Sequence, residues 1–169
     1  MWLKTKLLLN VGFAGAVALA PSPLGAAVAV GQPFPPIAGH DVVGVLPATT
    51  GSVAVVDFWA SWCAPCKASF PAFDQLQAEF AAQRVVIVAV SVDKSEAAYR
   101  KFIERLKPSF VTGWDAEQRL VAEVAVPTMP TSYVLDRKGI VRFVHRGFQG
   151  ERTLTELRAQ IAQLLEESL

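Results

Sequence analysis

The chain has 169 residues, enough for one compact domain with a buried core and accessory segments. Sixteen basic and 15 acidic residues leave a formal charge of +1, so no basic field draws nucleic acid to it and no acidic tail is present. Hydrophobic residues make up 52% against 18% charged, an apolar excess concentrated toward the N-terminus.

At that N-terminus Lys4 and Lys6 flank an almost unbroken apolar run, Leu7 to Ala20. About fourteen residues is short for a membrane span and suits the apolar region of a secretory signal. Pro21 and Pro23 end any helix, and Ala27-Val28-Ala29 offers a cleavage site, with Gly25-Ala26-Ala27 close behind it. Residues 1–29 therefore read as an export signal or, alternatively, an uncleaved membrane anchor, and residues 30–169 as the domain. Cleavage after Ala29 leaves 14 basic against 15 acidic residues, a net charge of −1.

Val30 to Pro36 is a Pro-rich surface linker, and Asp41 to Leu46 a short strand or hairpin arm before the turn cluster Pro47 to Ser52. Val53 to Trp59 is the main strand. Apolar residues recur at helical spacing from Cys66 to Gln83, with Pro71 expected to kink that helix. Arg84 to Ser91 is a continuous β-branched run, as interior parallel strands are. Ser95 is placed to cap a helix that presents Tyr99, Phe102, Ile103 and Leu106 and stops at Pro108. A short strand over 109–112 and a short helix over 116–124 lead to Pro127-Thr128-Met129-Pro130. A hairpin follows, Thr131 to Leu135 and Ile140 to Arg146 about the turn Asp136 to Gly139, and an amphipathic helix over 153–165 closes the chain. The order specifies a small α/β layer fold, a central mixed sheet with helices on both faces.

Cys63 and Cys66 are the two cysteines of the chain, three apart, between the main strand and the first helix. In an exported protein a cysteine pair can be a structural disulfide. A bridge over three residues closes almost no loop, so stability is a poor reason for it. Strand, dithiol, helix is instead a redox arrangement. The attacking species in disulfide exchange is the thiolate, and the free N–H groups and positive dipole end of a helix start favour an anion at Cys63. Pro65 fits the first turn, where its missing N–H costs nothing. Cys66, one turn deeper on the same face, can resolve a mixed disulfide on Cys63. Asp57 is the odd residue of its strand. It either faces solvent at a sheet edge or is a buried carboxylate, raised in pKa, that can take the proton of Cys66.

The segment from Asp57 through Trp62-Cys63-Ala64-Pro65-Cys66 to Lys67, with a proline five residues after the second cysteine, resembles the active-site segment of the thioredoxin superfamily. Pro130 to Asp136 resembles that superfamily's second landmark, a cis-proline opening a strand. The stretch 92–129 is longer than thioredoxin's own and has room for an extra strand and helix. With the export signal, that points to the exported branch that includes TlpA, ResA and the cytochrome c maturation thioredoxins. The resemblance covers about residues 30 to 167. It implies a thioredoxin-like fold with a central insertion, and a cis bond between Met129 and Pro130 facing the dithiol; Pro127 is the competing candidate, and Pro130 is preferred because a strand follows it directly. It also implies that the Met129 backbone pairs with an extended substrate segment. Trp62 and Gly147 would border the same surface, although Trp62 could instead pack its ring over the site. Two features depart from the branch: Ser69 stands where a ResA-like glutamate is common, and no acidic client-binding motif of the cytochrome c maturation proteins is visible.

These readings give an exported thiol-disulfide oxidoreductase with no cofactor beyond its own Cys63–Cys66 disulfide. Ala64 and Pro65 carry no ionisable group to stabilise a strongly oxidising dithiol, which favours a reductase. Its partners would be protein disulfides, for instance in cytochrome c maturation or copper-site assembly, and a membrane electron donor. A disulfide oxidant or isomerase is the alternative. A copper or zinc carrier would need ligands beyond two cysteines, and His40 and His145 are poor ones, so no metal site is expected.

Overall fold

The structure is a computed structural model and describes residues 27–167. The expected export segment falls almost wholly outside the described residues, and among those described no helix is long and apolar enough to cross a membrane. Five strands form one sheet in the order β3-β2-β1-β4-β5. Strand β1 (Val53–Trp59) lies in the middle, buried along its whole length. It pairs in parallel with β2 (Val85–Ser91) and antiparallel with β4 (Thr131–Leu135). Strands β3 (Val111–Trp114) and β5 (Val141–Arg146) are the edges. The central strands are largely apolar because both their faces are covered, with Asp57 an exception in β1 and Ser132 in β4.

Side chains alternate across the sheet. Trp59 of β1 meets Phe70 of helix α1 (Ala64–Glu79) and Tyr99 and Phe102 of helix α2 (Glu96–Leu106). Helix α4 (Glu151–Glu166) packs beside α1 on that face, burying Leu157, Ile161 and Leu164. Phe58 points the other way and joins Phe34 and Tyr133. The short helix α3 (Arg119–Val124) and the 3-10 turn Ile37–His40 contact each other, and both contribute to the core. The stretch 92–129 does hold an added strand and helix: α2, β3 and α3 all fall within it.

Several elements differ from the sequence reading. Helix α1 starts at Ala64 and ends at Glu79, with Pro71 inside it as expected. Helix α3 begins only at Arg119, because the buried Asp115 carboxylate accepts the N–H groups of Arg119, Leu120 and Val121 and fixes the start there. Strand β3 is shifted two residues, to Val111–Trp114. The strand expected over 41–46 does not form; it shrinks to one bridge in which Val43 and Trp114 exchange N–H···O bonds of 2.9 Å. At Gly44 the backbone lies so close to β3 that a Cβ would be 2.9 Å from the carbonyl oxygen of Thr112, at a φ of 147°. The backbone turns aside there, and Val45 ends up 94% exposed. A second bridge, Pro33 with Ile140, joins the same N-terminal segment to the start of β5.

Candidate redox site

Cys63 is the N-cap of α1, in extended backbone geometry, and its Sγ accepts the Cys66 N–H at 3.2 Å. The two cysteines are joined in a disulfide with Cα atoms 5.3 Å apart. Cys66 is fully buried, while Cys63 retains 5% exposure. Cys63 is thus the less enclosed of two largely buried cysteines, the order that a division into attacking and resolving thiols requires. Ser69, in the position where a glutamate was looked for, is buried and donates its hydroxyl to the Cys66 carbonyl at 2.8 Å.

Asp57 is neither at an edge nor at a cap. It is fully buried in the central strand, two residues before Trp59 and so on the α1 face of the sheet. Oδ1 accepts the Ser132 hydroxyl at 2.6 Å, and Oδ2 has no partner among the described residues. Desolvation dominates: burial pushes the Asp57 carboxyl up to about 8, against the opposing pull of the Ser132 hydrogen bond.

The Met129–Pro130 bond is cis. Pro130 is buried and leads directly into β4, while Met129 is half-buried. Gly147, at a φ of 83°, donates its N–H to the Pro130 carbonyl at 2.7 Å, which ties the end of β5 to the cis-proline loop. Trp62 is 69% exposed, so its ring stands in solvent rather than packing over the disulfide. A groove of about 510 Å³ runs beside it, lined by Val92, Lys94, Ser95, Ala98 and Gln118 as well as Ser61 and Asp93. His40 binds Glu123 and the Pro36 carbonyl, and His145 binds Gln160. Among the described residues no three His, Cys, Asp or Glu side chains group together as a metal site.

Sequence reasoning missed the residues that hold these groups in place. Asp93, just beyond β2 and 2% exposed, accepts the Ser61 N–H on both oxygens at 3.1 and 3.0 Å and the Ser61 hydroxyl at 2.9 Å. The Ser91 hydroxyl donates to it at 2.9 Å. This carboxylate therefore clamps the loop that carries Trp62 and Cys63. The one sequence signal was an acid directly after a buried apolar strand. Asp93→Asn replaces an acceptor with a donor in this cluster and should cost about 1–2 kcal/mol, read as a lower urea midpoint at unchanged slope.

Residues 30–144 match a family model described as the AhpC/TSA family. The chain is 33% identical over 109 residues to the thioredoxin-like protein YneN of Bacillus subtilis, covering 63% of each chain. It is 32% identical over 111 residues to the thiol-disulfide oxidoreductase ResA of Oceanobacillus iheyensis, covering 66% of this chain and 56% of that one. The matched region thus spans under two thirds of these relatives' own length. Among solved structures it resembles a candidate thiol:disulfide interchange protein DsbE from Chlorobium tepidum, with a TM-score of 0.74 and 32% identity over 82% of this chain and 99% of that one. A cysteine pair at a helix start, a cis-proline leading into β1's neighbour strand β4 and a family match over well over half the chain converge: this protein belongs to the AhpC/TSA family and has a thioredoxin-like fold.

Proposed function

We propose that the protein is an exported thiol-disulfide oxidoreductase that reduces disulfides in other proteins. The observation that carries this reading is the disulfide at the start of α1, with Cys63 the less enclosed cysteine, Cys66 fully buried and the buried acid Asp57 on the same face of the sheet. In the reduced protein the Cys63 thiolate, favoured by the helix start, attacks a client disulfide. A Cys63–client bond forms, and the client's other sulfur leaves as a thiolate. Cys66 then gives its proton to Asp57 and attacks Cys63 Sγ. The Cys63–Cys66 bond closes and the second client sulfur is released. Two electrons have passed to the client, whose two thiolates take up protons. A thiol-relay donor in the membrane would return the pair to its reduced form.

The client would lie as an extended segment against the Met129 backbone ahead of cis-Pro130, bordered by Trp62 and Gly147. Relatives named for thiol-disulfide exchange support the chemistry, and apocytochrome c or a copper-site protein is the client class we favour. Equilibration of the domain with glutathione or dithiothreitol buffers tests the direction. A reductase should have a potential close to thioredoxin's, about −270 mV, whereas a value toward about −120 mV would make the protein a disulfide donor.

A further inference from the structure

Asp57, Ser132 and His145 are direct cross-strand neighbours on β1, β4 and β5, and so form one row on the face that carries α1 and α4. Ser132 is 4% exposed and interrupts a strand that is otherwise largely apolar. Its hydroxyl makes one hydrogen bond, to Asp57 Oδ1 at 2.6 Å. That leaves Oδ2 as the one oxygen of a wholly buried carboxyl with no partner among the described residues. On the reading of Asp57 as proton acceptor, we infer that Ser132 is a positioning residue of the redox site. It holds Oδ1, orients the carboxyl, and leaves Oδ2 as the atom that takes the proton from Cys66.

The same bond favours the form that can accept. A hydroxyl donated to a carboxylate stabilises the charged state against the desolvation that opposes it, and these are the two influences on Asp57. No charged side chain adds to them. In the same cross-strand row the other titratable group is His145, and of the helices packed on this face α1 carries the two cysteines at its start and the Glu79 that pairs with Arg158 of α4. The His145 ring is turned to Gln160, at 2.8 Å, and to Glu156 of α4, at 3.6 Å. Arg152 holds Glu156 from the solvent side. Without Ser132 the carboxylate loses its one hydrogen bond, so Asp57 becomes an acceptor only at higher pH and its orientation is no longer fixed.

The test uses the reduced protein and 5,5′-dithiobis(2-nitrobenzoate) in stopped flow. The first thionitrobenzoate released reports attack by Cys63, and the second reports resolution by Cys66. Ser132→Ala should leave the first phase unchanged and slow the second about tenfold at pH 7, moving its half-maximal pH up by about one unit. Ser132→Thr, which restores the hydroxyl, should restore the profile. A Ser132→Ala second phase that follows wild type at every pH would overturn the inference. Asp57→Asn separates the two levels. If it removes the pH dependence of the second phase while Ser132→Ala changes nothing, only the role of Ser132 fails. If Asp57→Asn leaves the second phase untouched, the acid reading fails, and the role of Ser132 fails with it.

Discussion

Cys63→Ser should abolish reduction of an insulin-type disulfide, a loss of roughly a thousandfold or more, because a serine hydroxyl is not ionised at working pH and cannot replace the attacking thiolate. Cys66→Ser should behave differently. Cys63 still attacks, but nothing resolves the adduct, so the protein accumulates as a covalent mixed disulfide with its client. Non-reducing gels and intact mass would show that adduct for Cys66→Ser and none for Cys63→Ser. The asymmetry follows from burial: Cys63 keeps a little exposure and Cys66 has none. An adduct trapped through Cys66 in a Cys63→Ser variant would reverse the assignment.

Asp57→Asn should make the oxidised protein more stable near neutral pH, and increasingly so as pH rises. The folded carboxyl titrates at about 8 against an ordinary value of 3.8, so the folded state holds a proton that the unfolded chain has already released. Stability from this group is complete below the ordinary carboxylate range and is lost as pH climbs toward about 8. The slope is about 1.4 kcal/mol per pH unit, or about 3 kcal/mol between pH 5 and pH 7. Asparagine does not titrate, and its carbonyl oxygen can still accept the Ser132 hydroxyl. Urea unfolding of both proteins at pH 5, 6 and 7 should therefore give lines that diverge upward with pH. Parallel lines would mean that Asp57 is charged in the folded state throughout this window.

The gain in stability would come with slower resolution by Cys66, since the same carboxyl is the proposed proton acceptor. A buried acid in the middle strand of a sheet is costly to the fold, and the proposed proton transfer gives that cost a chemical return.

Much of this was legible from local pattern. Strand β1, the helix start at the cysteines and the cis-proline strand are each specified by residues adjacent in the chain, so the reading of Val53 to Cys66 and of Pro130 to Leu135 carried over closely. Asp57 stood out because it breaks an apolar run, but its burial depended on β1 lying at the centre of the sheet, which no local signal gives. Ser132 and Asp93 were missed for the same reason. A serine in a strand and an acid after one have ordinary surface roles until the register brings Ser132 beside Asp57 and the fold brings Asp93 under Ser61. The segment 41–46 failed differently: its apolar residues do pack, with Val42 and Leu46 closing around Gly113, but only Val43 pairs with β3 before the chain bends at Gly44.

The bridges at Pro33 and Val43 have a bearing on how the protein behaves at high concentration. They place one N-terminal stretch against both outer strands, at the start of β5 and at the end of β3. Open strand edges are templates for pairing with another copy, and here each edge is partly occupied by the chain itself. A truncation that begins at Pro47 would uncover both edges and also take Phe34 and Ile37 out of the core, so it should self-associate more than the longer chain does. The segment read as a surface linker is then also a cover for both edges of the sheet.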